Sequence, residues 1–218
     1  MAIIQSGVDS TLLAVDPTMK STRVVVKPDE LTGAFQLGAA SGALTTVAAY
    51  TSTAGHVFAF RWAPNTSALC AVKRVSVGFN LTTGFGAAQQ MGFALYAARS
   101  YSASHSGGTP IVLTGNNNKY RTSLGTSGVT NAQIATTTAL TAGTHTIDSQ
   151  PLGQTNFWAT TTAGSLLTNY DLISYDANDY PFVLANNEGF IIANTILMGA
   201  TGVGTLIVNV EWFETNAY

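Results

Sequence analysis

Alternation of apolar and polar residues is the sequence feature that most constrains the fold. Apolar side chains occupy every second position in four runs, 56–62, 73–81, 91–97 and 206–212. Because successive side chains of a strand point to opposite faces, this spacing is typical of strands with one buried face. Clusters of Gly, Asn, Ser and Pro separate the runs, and no strand–helix–strand rhythm is evident. The sequence therefore predicts an all-β fold, either an antiparallel β-sandwich or a jelly-roll-like domain.

The first part of the chain differs in composition from the rest. Residues 1–30 contain four of the eleven acidic residues, three of the nine basic residues, and both Pro17 and Pro28. The run 22–27 has the composition of a short strand, and Pro28 would end it because proline cannot donate to a ladder. We predict an extended N-terminal arm over 1–30 and a single β-sandwich domain over 31–218. An edge strand of the same domain is an equally simple explanation of the run 22–27.

The low content of charge is the most unusual feature of the composition. Only 9% of the 218 residues are charged and 46% are hydrophobic, whereas an average soluble domain has about 25% charged residues. No segment approaches the roughly 20 continuous apolar residues of a membrane-spanning helix, and the first residues lack the pattern of a secretory signal. Since the cores of protein interfaces are depleted in charge, the composition favours assembly into an oligomer. A monomer with a neutral polar surface is the alternative.

The charges are distributed unevenly along the chain. All nine basic residues lie at or before Arg121, together with four acidic residues, and the seven other acidic residues follow it. Such asymmetry can orient copies of a subunit during packing. Alternatively, the two halves interleave within one sandwich and their charges pair there. The sequence leaves both explanations open.

Side chains that could bind a metal ion are few. His56, His105 and His145 are far apart in sequence, and none has a Cys, His or carboxylate at ligand spacing. Zinc binding is therefore not expected. Cys70 is the single cysteine, which excludes an internal disulfide, and its apolar surroundings predict a buried, inert thiol.

The sequence does not predict an enzyme. In 104–106 two serines flank His105, but neighbouring side chains on an extended segment point to opposite faces. Asp171, Asp176, Asp179 and Glu188 could supply the two carboxylates of a glycosidase, but their position near turns around Pro181 is the better explanation. Complete phosphate-binding and dinucleotide-binding motifs are missing, so no cofactor is expected. The short basic cluster around 73–74 does not indicate direct binding to nucleic acid in a protein of pI about 5.8.

Several short, strand-like segments carry a resemblance to known proteins. They are VDPTMK and RV (15–20 and 23–24), FAFRW (58–62), GFALYAARS (92–100), NEGF (187–190) and VEW (210–212). In these segments the chain resembles a loosely defined group of virion proteins of tailed bacteriophages. The resemblance implies a structural component of the particle, assembled in the cytoplasm of the bacterial host and located at the capsid surface.

Within a particle, a capsid cement or decoration protein is the role that we expect. Such a protein is compact, oligomeric and low in charge, often with an arm that reaches a neighbour. A fibre would show heptads or collagen-like repeats, and a major capsid protein would be longer and contain a long helix. We therefore predict a homo-oligomer, specifically a homotrimer, that binds the major capsid protein and neither a membrane nor nucleic acid.

Candidate interface residues follow from this expectation. In the arm and in the domain they are Arg23, Val25, Lys27, Phe190, Trp212 and Tyr218. For Phe190, Trp212 and Tyr218, a place in the hydrophobic core is the alternative, and the sequence favours it. The alternative is a component of the phage tail, neck or fibre, in which a β-sandwich binds a glycan or another receptor. Its contacts would be aromatic side chains, for which the candidates are Tyr96, Tyr101, Trp158 and Tyr170.

Overall fold

Thirteen antiparallel β-strands make up the regular structure in the computed structural model, which describes residues 33–175 and 180–215. Within these ranges no helix has the length and apolarity needed to cross a bilayer. The strands are β1 (Ala34–Ala40), β2 (Leu44–Thr45), β3 (His56–Trp62), β4 (Leu69–Thr83), β5 (Gln89–Ala103), β6 (Thr109–Pro110), β7 (Val129–Ile134), β8 (Thr144–Ile147), β9 (Gly153–Ala159), β10 (Gly164–Ser174), β11 (Phe182–Leu184), β12 (Glu188–Asn194) and β13 (Val203–Thr215).

The strands form two antiparallel sheets. The first sheet has the order β1-β13-β4-β10, with β2 paired to β13 and β11 paired to β4. The second has the order β6-β7-β3-β12-β5-β8, with β9 also paired to β5. This arrangement confirms the predicted all-β antiparallel sandwich.

The hydrophobic core lies between the two sheets. Phe60 of β3 meets Trp212 of β13 edge to face with 5.4 Å between ring centroids, and Phe79 of β4 lies 5.6 Å from Phe93 of β5. The alternating apolar residues of 73–81 are buried as their spacing predicts. Burial of each large apolar side chain stabilises a fold by about 1.5–3 kcal/mol, so these inter-sheet contacts account for the pairing of the two layers.

Two of the expected interface residues belong to this core. Phe190 is 0% exposed and stacks on Phe60 at 4.9 Å, while Trp212 is 2% exposed and stacks on Phe35 at 5.6 Å. Phe190 and Trp212 are therefore core residues and not interface residues, because neither side chain has exposed surface that another copy could contact. The other candidates lie outside the described residues, namely Arg23, Val25, Lys27 and Tyr218, as do the predicted arm, Asp176 and Asp179.

The ion pairs show how the uneven charges are arranged in space. Arg74 pairs with Asp171 at 2.8 Å and with Glu211 at 3.9 Å. Arg99 pairs with Asp148 at 3.3 Å and with Glu188 at 2.8 Å. In each pair an arginine from the basic part of the chain meets an acid from the acidic part. These pairs agree with the explanation that the basic and acidic halves of the chain interleave within one sandwich.

Candidate functional site

The three histidines of the chain converge in space although 40 to 49 residues separate neighbours in sequence. His56 begins β3, His105 follows the end of β5, and His145 lies on β8. Strand β8 pairs with the end of β5, and β12 joins β5 to β3, which brings the three rings to centroid separations of 4.9–5.7 Å. Sequence separation was thus the wrong criterion for judging a metal site in this chain.

Arg61 of the second sheet supports the segment that carries part of the cluster. Arg61 alternates with Phe60 and Trp62, whose rings point into the core, so its own side chain points outward. Its guanidinium donates to the carbonyl oxygens of Tyr101 and Ser102 at 2.7 and 2.8 Å. These bonds fix the segment that carries Tyr101 and leads to His105.

A directed chain of hydrogen bonds runs through the cluster. His56 Nε2 lies 3.2 Å from the carbonyl oxygen of Thr51, which can only accept, so Nε2 carries the proton. The other nitrogen of a neutral His56 ring, Nδ1, then accepts from His105 Nε2 at 2.7 Å. His105 Nδ1 accepts in turn from the hydroxyl of Tyr101. Every donor in the sequence Tyr101, His105, His56, Thr51 therefore meets an acceptor.

Burial keeps these groups uncharged. His56 and His105 are 0% and 1% exposed. Burial lowers the pKa of His56 to about 4 and that of His105 to about 3, and the neighbouring histidines act in the same direction. Burial also lowers the pKa of His145 and raises that of the Tyr101 hydroxyl. At neutral pH the cluster therefore consists of three neutral imidazoles and a protonated phenol.

His145 completes the cluster on its more accessible side. Its Nε2 lies 3.4 Å from His105 Nε2, and its ring is less deeply buried than the other two. One nitrogen from each histidine lies within 4.8 Å of the others. Nitrogens of three neutral imidazoles at such mutual distances can share a cation.

The same region does not form a nucleophile and base. Both ring nitrogens of His105 are engaged by Tyr101 and His56. The hydroxyl of Ser104 accepts from Arg61 at 3.2 Å. Within the described residues, the run 104–106 therefore lacks the contact between hydroxyl and imidazole that nucleophilic catalysis needs.

The candidate carboxylates of a glycosidase are also separated. Asp171 lies on β10 of the first sheet and binds Arg74, whereas Glu188 lies on β12 of the second sheet and binds Arg99. Each is thus the partner of a different arginine in a different sheet. These two do not form a convergent acid–base pair.

The aromatic residues proposed for glycan contact divide into two groups. Tyr96 and Tyr101 are buried, and Tyr96 stacks on Tyr50 with 4.1 Å between ring centroids. Trp158 and Tyr170 are 69% and 45% exposed. Only the second pair has the surface that stacking on a sugar requires.

A polar groove of about 580 Å³ lies on the outer side of the first sheet. Its lining includes Arg74, Asn118, Asn169, Asn209 and Glu211. Both amide atoms of the Asn118 side chain are buried without a hydrogen-bond partner. Planar amides and paired charges of this kind can bind a neutral polar ligand through hydrogen bonds.

Comparisons with known proteins do not assign the chain to a family. Neither the protein families nor the curated proteins contain a match. Among solved structures, VP1 of the trichodysplasia spinulosa-associated polyomavirus is similar with a TM-score of 0.25 and 10% sequence identity, over 88% of this chain and 97% of VP1. A TM-score of this size does not bear on fold or function.

Proposed function

We propose that the chain is a structural subunit of a tailed-phage particle, specifically a capsid cement or decoration protein. In this role it acts mechanically and not as an enzyme, binding the major capsid protein and further copies of itself at the capsid surface of the virion. The observation that carries the proposal is the neutral surface. Only 9% of the residues are charged. Among these, Arg74 and Arg99 form ion pairs with acidic side chains of the same chain.

Neutral surface is suited to burial between subunits because no charge loses its hydration there. A specific interface typically buries about 1,600 Å² in total, and its core is depleted in charge. Large apolar side chains are available for such contacts, including Val112, Trp158 and Leu197, which are 64%, 69% and 60% exposed. These residues replace Phe190 and Trp212 as the candidate interface of the domain.

The proposed arm would extend the contact to a neighbouring copy. If the run 22–27 forms a strand, the alternate positions of Arg23, Val25 and Lys27 would place them on one face. Within the described residues, β9 has a strand ladder only with β5, although β10 lies against it at Gly153, so we assign the arm to the rest of its other edge. A closed ring of three copies, each with its arm on the next, is the homotrimer that we propose.

Binding to capsids tests this function directly. The full chain is mixed with expanded capsids of the phage that encodes it, and the bound fraction is measured after sedimentation. We expect saturable binding that is lost when residues 1–28 are deleted and weakened by Trp158→Ala. Gly125→Ala serves as the control, since a Cβ there meets nothing within 4 Å. Failure of the full chain to bind capsids would reject the cement role, and unchanged binding after the deletion would reject the arm.

The polar groove favours a second candidate function, a glycan-binding module of the phage tail, neck or fibre. Tyr120 is 52% exposed and lies close enough to Arg74 and Glu211 for their charges to act on its pKa, which places an aromatic ring beside the groove. A glycan array with the full chain and Asn209→Ala tests this function. A monomer that ignores capsids and binds a glycan through Asn209 would favour this role over the first.

A further inference from the structure

We propose that His56, His105 and His145 form a binding site for a divalent transition-metal ion, with Zn²⁺ as the ion that best fits three imidazoles and one open position. This inference is independent of the proposed role in a particle. It rests on the convergence of three neutral nitrogen ligands and on the partners that orient them.

One of the distances between the nitrogens already matches a shared ion, and all three nitrogens lie within 4.8 Å of one another. Tetrahedral zinc has Zn–N distances of about 2.0–2.1 Å, which places neighbouring ligand nitrogens about 3.4 Å apart. His105 Nε2 and His145 Nε2 are 3.4 Å apart. His56 Nδ1 and His105 Nε2 are closer, at 2.7 Å, because a hydrogen bond joins them. Metal binding would replace that bond and increase the distance between the two nitrogens by about 0.7 Å, to about 3.4 Å.

The outer partners already select the nitrogens that face the ion. The carbonyl of Thr51 holds the proton of His56 on Nε2, which leaves the lone pair of Nδ1 directed at the cluster. Tyr101 contacts His105 at Nδ1, so its Nε2 faces the other two rings. Ligands in metal sites usually have such an outer hydrogen bond, which orients the ring. For His56 the outer bond also leaves the ligating nitrogen unprotonated, whereas His105 must change its tautomer.

Metal binding requires one proton to move within the cluster. In the hydrogen-bonded chain, His105 carries its proton on Nε2, which must become a ligand. The proton therefore moves from Nε2 to Nδ1 of His105. The new Nδ1–H then donates a hydrogen bond to the oxygen of the Tyr101 hydroxyl, whose own hydrogen turns away. Each imidazole remains neutral and the protein releases no net proton. Solvent can supply the fourth ligand on the side of His145, which is the least buried of the three.

An ion at this position would join three elements of the second sheet. His56 is the first residue of β3, His145 belongs to β8, and His105 lies in the connection that follows β5. The backbone of this connection is joined to the segment 139–143 by the reciprocal hydrogen bonds between Ser106 and Thr141. We therefore assign the ion a structural role, the fixation of this connection against the sheet.

Titration of the full chain with Zn²⁺ after dialysis against EDTA tests the site. We expect one ion per chain by calorimetry and elemental analysis, and a melting temperature that rises with the concentration of Zn²⁺. His145→Ala removes a ligand from the less buried side, and Thr146→Ala is the matched control on the same strand. Tyr101→Phe removes only the outer partner and should weaken binding by about 10- to 100-fold. His145→Ala should weaken it more.

Cobalt provides a readout that does not depend on the variants. Co²⁺ bound by three imidazoles and one solvent ligand in tetrahedral geometry gives intense visible absorption, and Zn²⁺ should displace it. Absence of this spectrum in the full chain would overturn the proposal even if a variant failed to fold. Binding of Zn²⁺ with equal affinity by the wild type and a folded His145→Ala variant would also overturn it, because the ion would then be bound elsewhere.

Discussion

Acidification should destabilise the metal-free protein because the histidine cluster is neutral only in the fold. In the unfolded chain a histidine has a pKa of about 6.5. Burial lowers the pKa of His56 to about 4 and that of His105 to about 3, and it lowers the pKa of His145 as well. Between the folded and unfolded values, the unfolded chain binds protons that the folded chain does not. The free energy of unfolding therefore decreases as the pH falls below about 6.5.

The size of the effect follows from the two buried rings. Each proton bound only by the unfolded state changes the free energy of unfolding by about 1.4 kcal/mol per pH unit. Between about pH 7 and pH 5, His56 and His105 should each account for a loss of about 2 kcal/mol, or about 4 kcal/mol together. His145 acts in the same direction. Glu214 acts in the opposite direction to the histidines. Burial raises the pKa of the Glu214 carboxyl group, so protonation of this group on acidification stabilises the fold.

Urea unfolding followed by tryptophan fluorescence, with EDTA present, measures this loss at several pH values. His105→Gln is the informative variant, because an amide can accept from Tyr101 and donate to His56 without titrating. Between about pH 6 and pH 5, the free energy of unfolding of this variant should decrease less steeply with falling pH than that of the wild type. The two slopes should differ by about 1.4 kcal/mol per pH unit. Equal slopes for the wild type and this variant would refute the reasoning that His105 is buried as a neutral ring.

Three further predictions concern the rest of the sandwich. Gly153→Ala should lower the free energy of unfolding by about 2 kcal/mol or more, because its Cβ would overlap the carbonyl oxygen of Leu172, whereas Gly125→Ala should change it by less than about 0.5 kcal/mol in the same urea titration. Cys70 should not react with a thiol reagent until urea unfolds the chain, since it is fully buried and burial raises its pKa. Arg99→Ala should cost at most about 1 kcal/mol, with little effect left at high salt, because its ion pairs are solvent-accessible.

The sandwich was predictable because period-two alternation is a local property of the chain. Burial of one face of a strand imposes the spacing of Val75, Val77 and Phe79, so the inward face could be read directly from the sequence. The core position of Phe190 had a local signal as well. It is followed by Ile191 and Ile192, and apolar residues on both faces indicate a strand covered on both sides.

The histidine cluster was not predictable from local spacing. His105 lies 49 residues from His56 and 40 from His145, and only the pairing of β5 with β8 and β12 brings the rings together. Strand order depends on long-range contacts that the sequence pattern does not encode position by position. The charge asymmetry had the same limitation, since the partners of Arg74 follow from the register of β4 with β10 and β13.

The mass of the full chain in solution tests the proposed assembly most directly. One chain has a mass of 22.7 kDa. Sedimentation equilibrium over a wide range of concentrations should give a species of about three times that mass, without larger open-ended aggregates, because a ring with one arm on each neighbour is closed. A monomer at every concentration would contradict the account, since the neutral surface would then face only solvent.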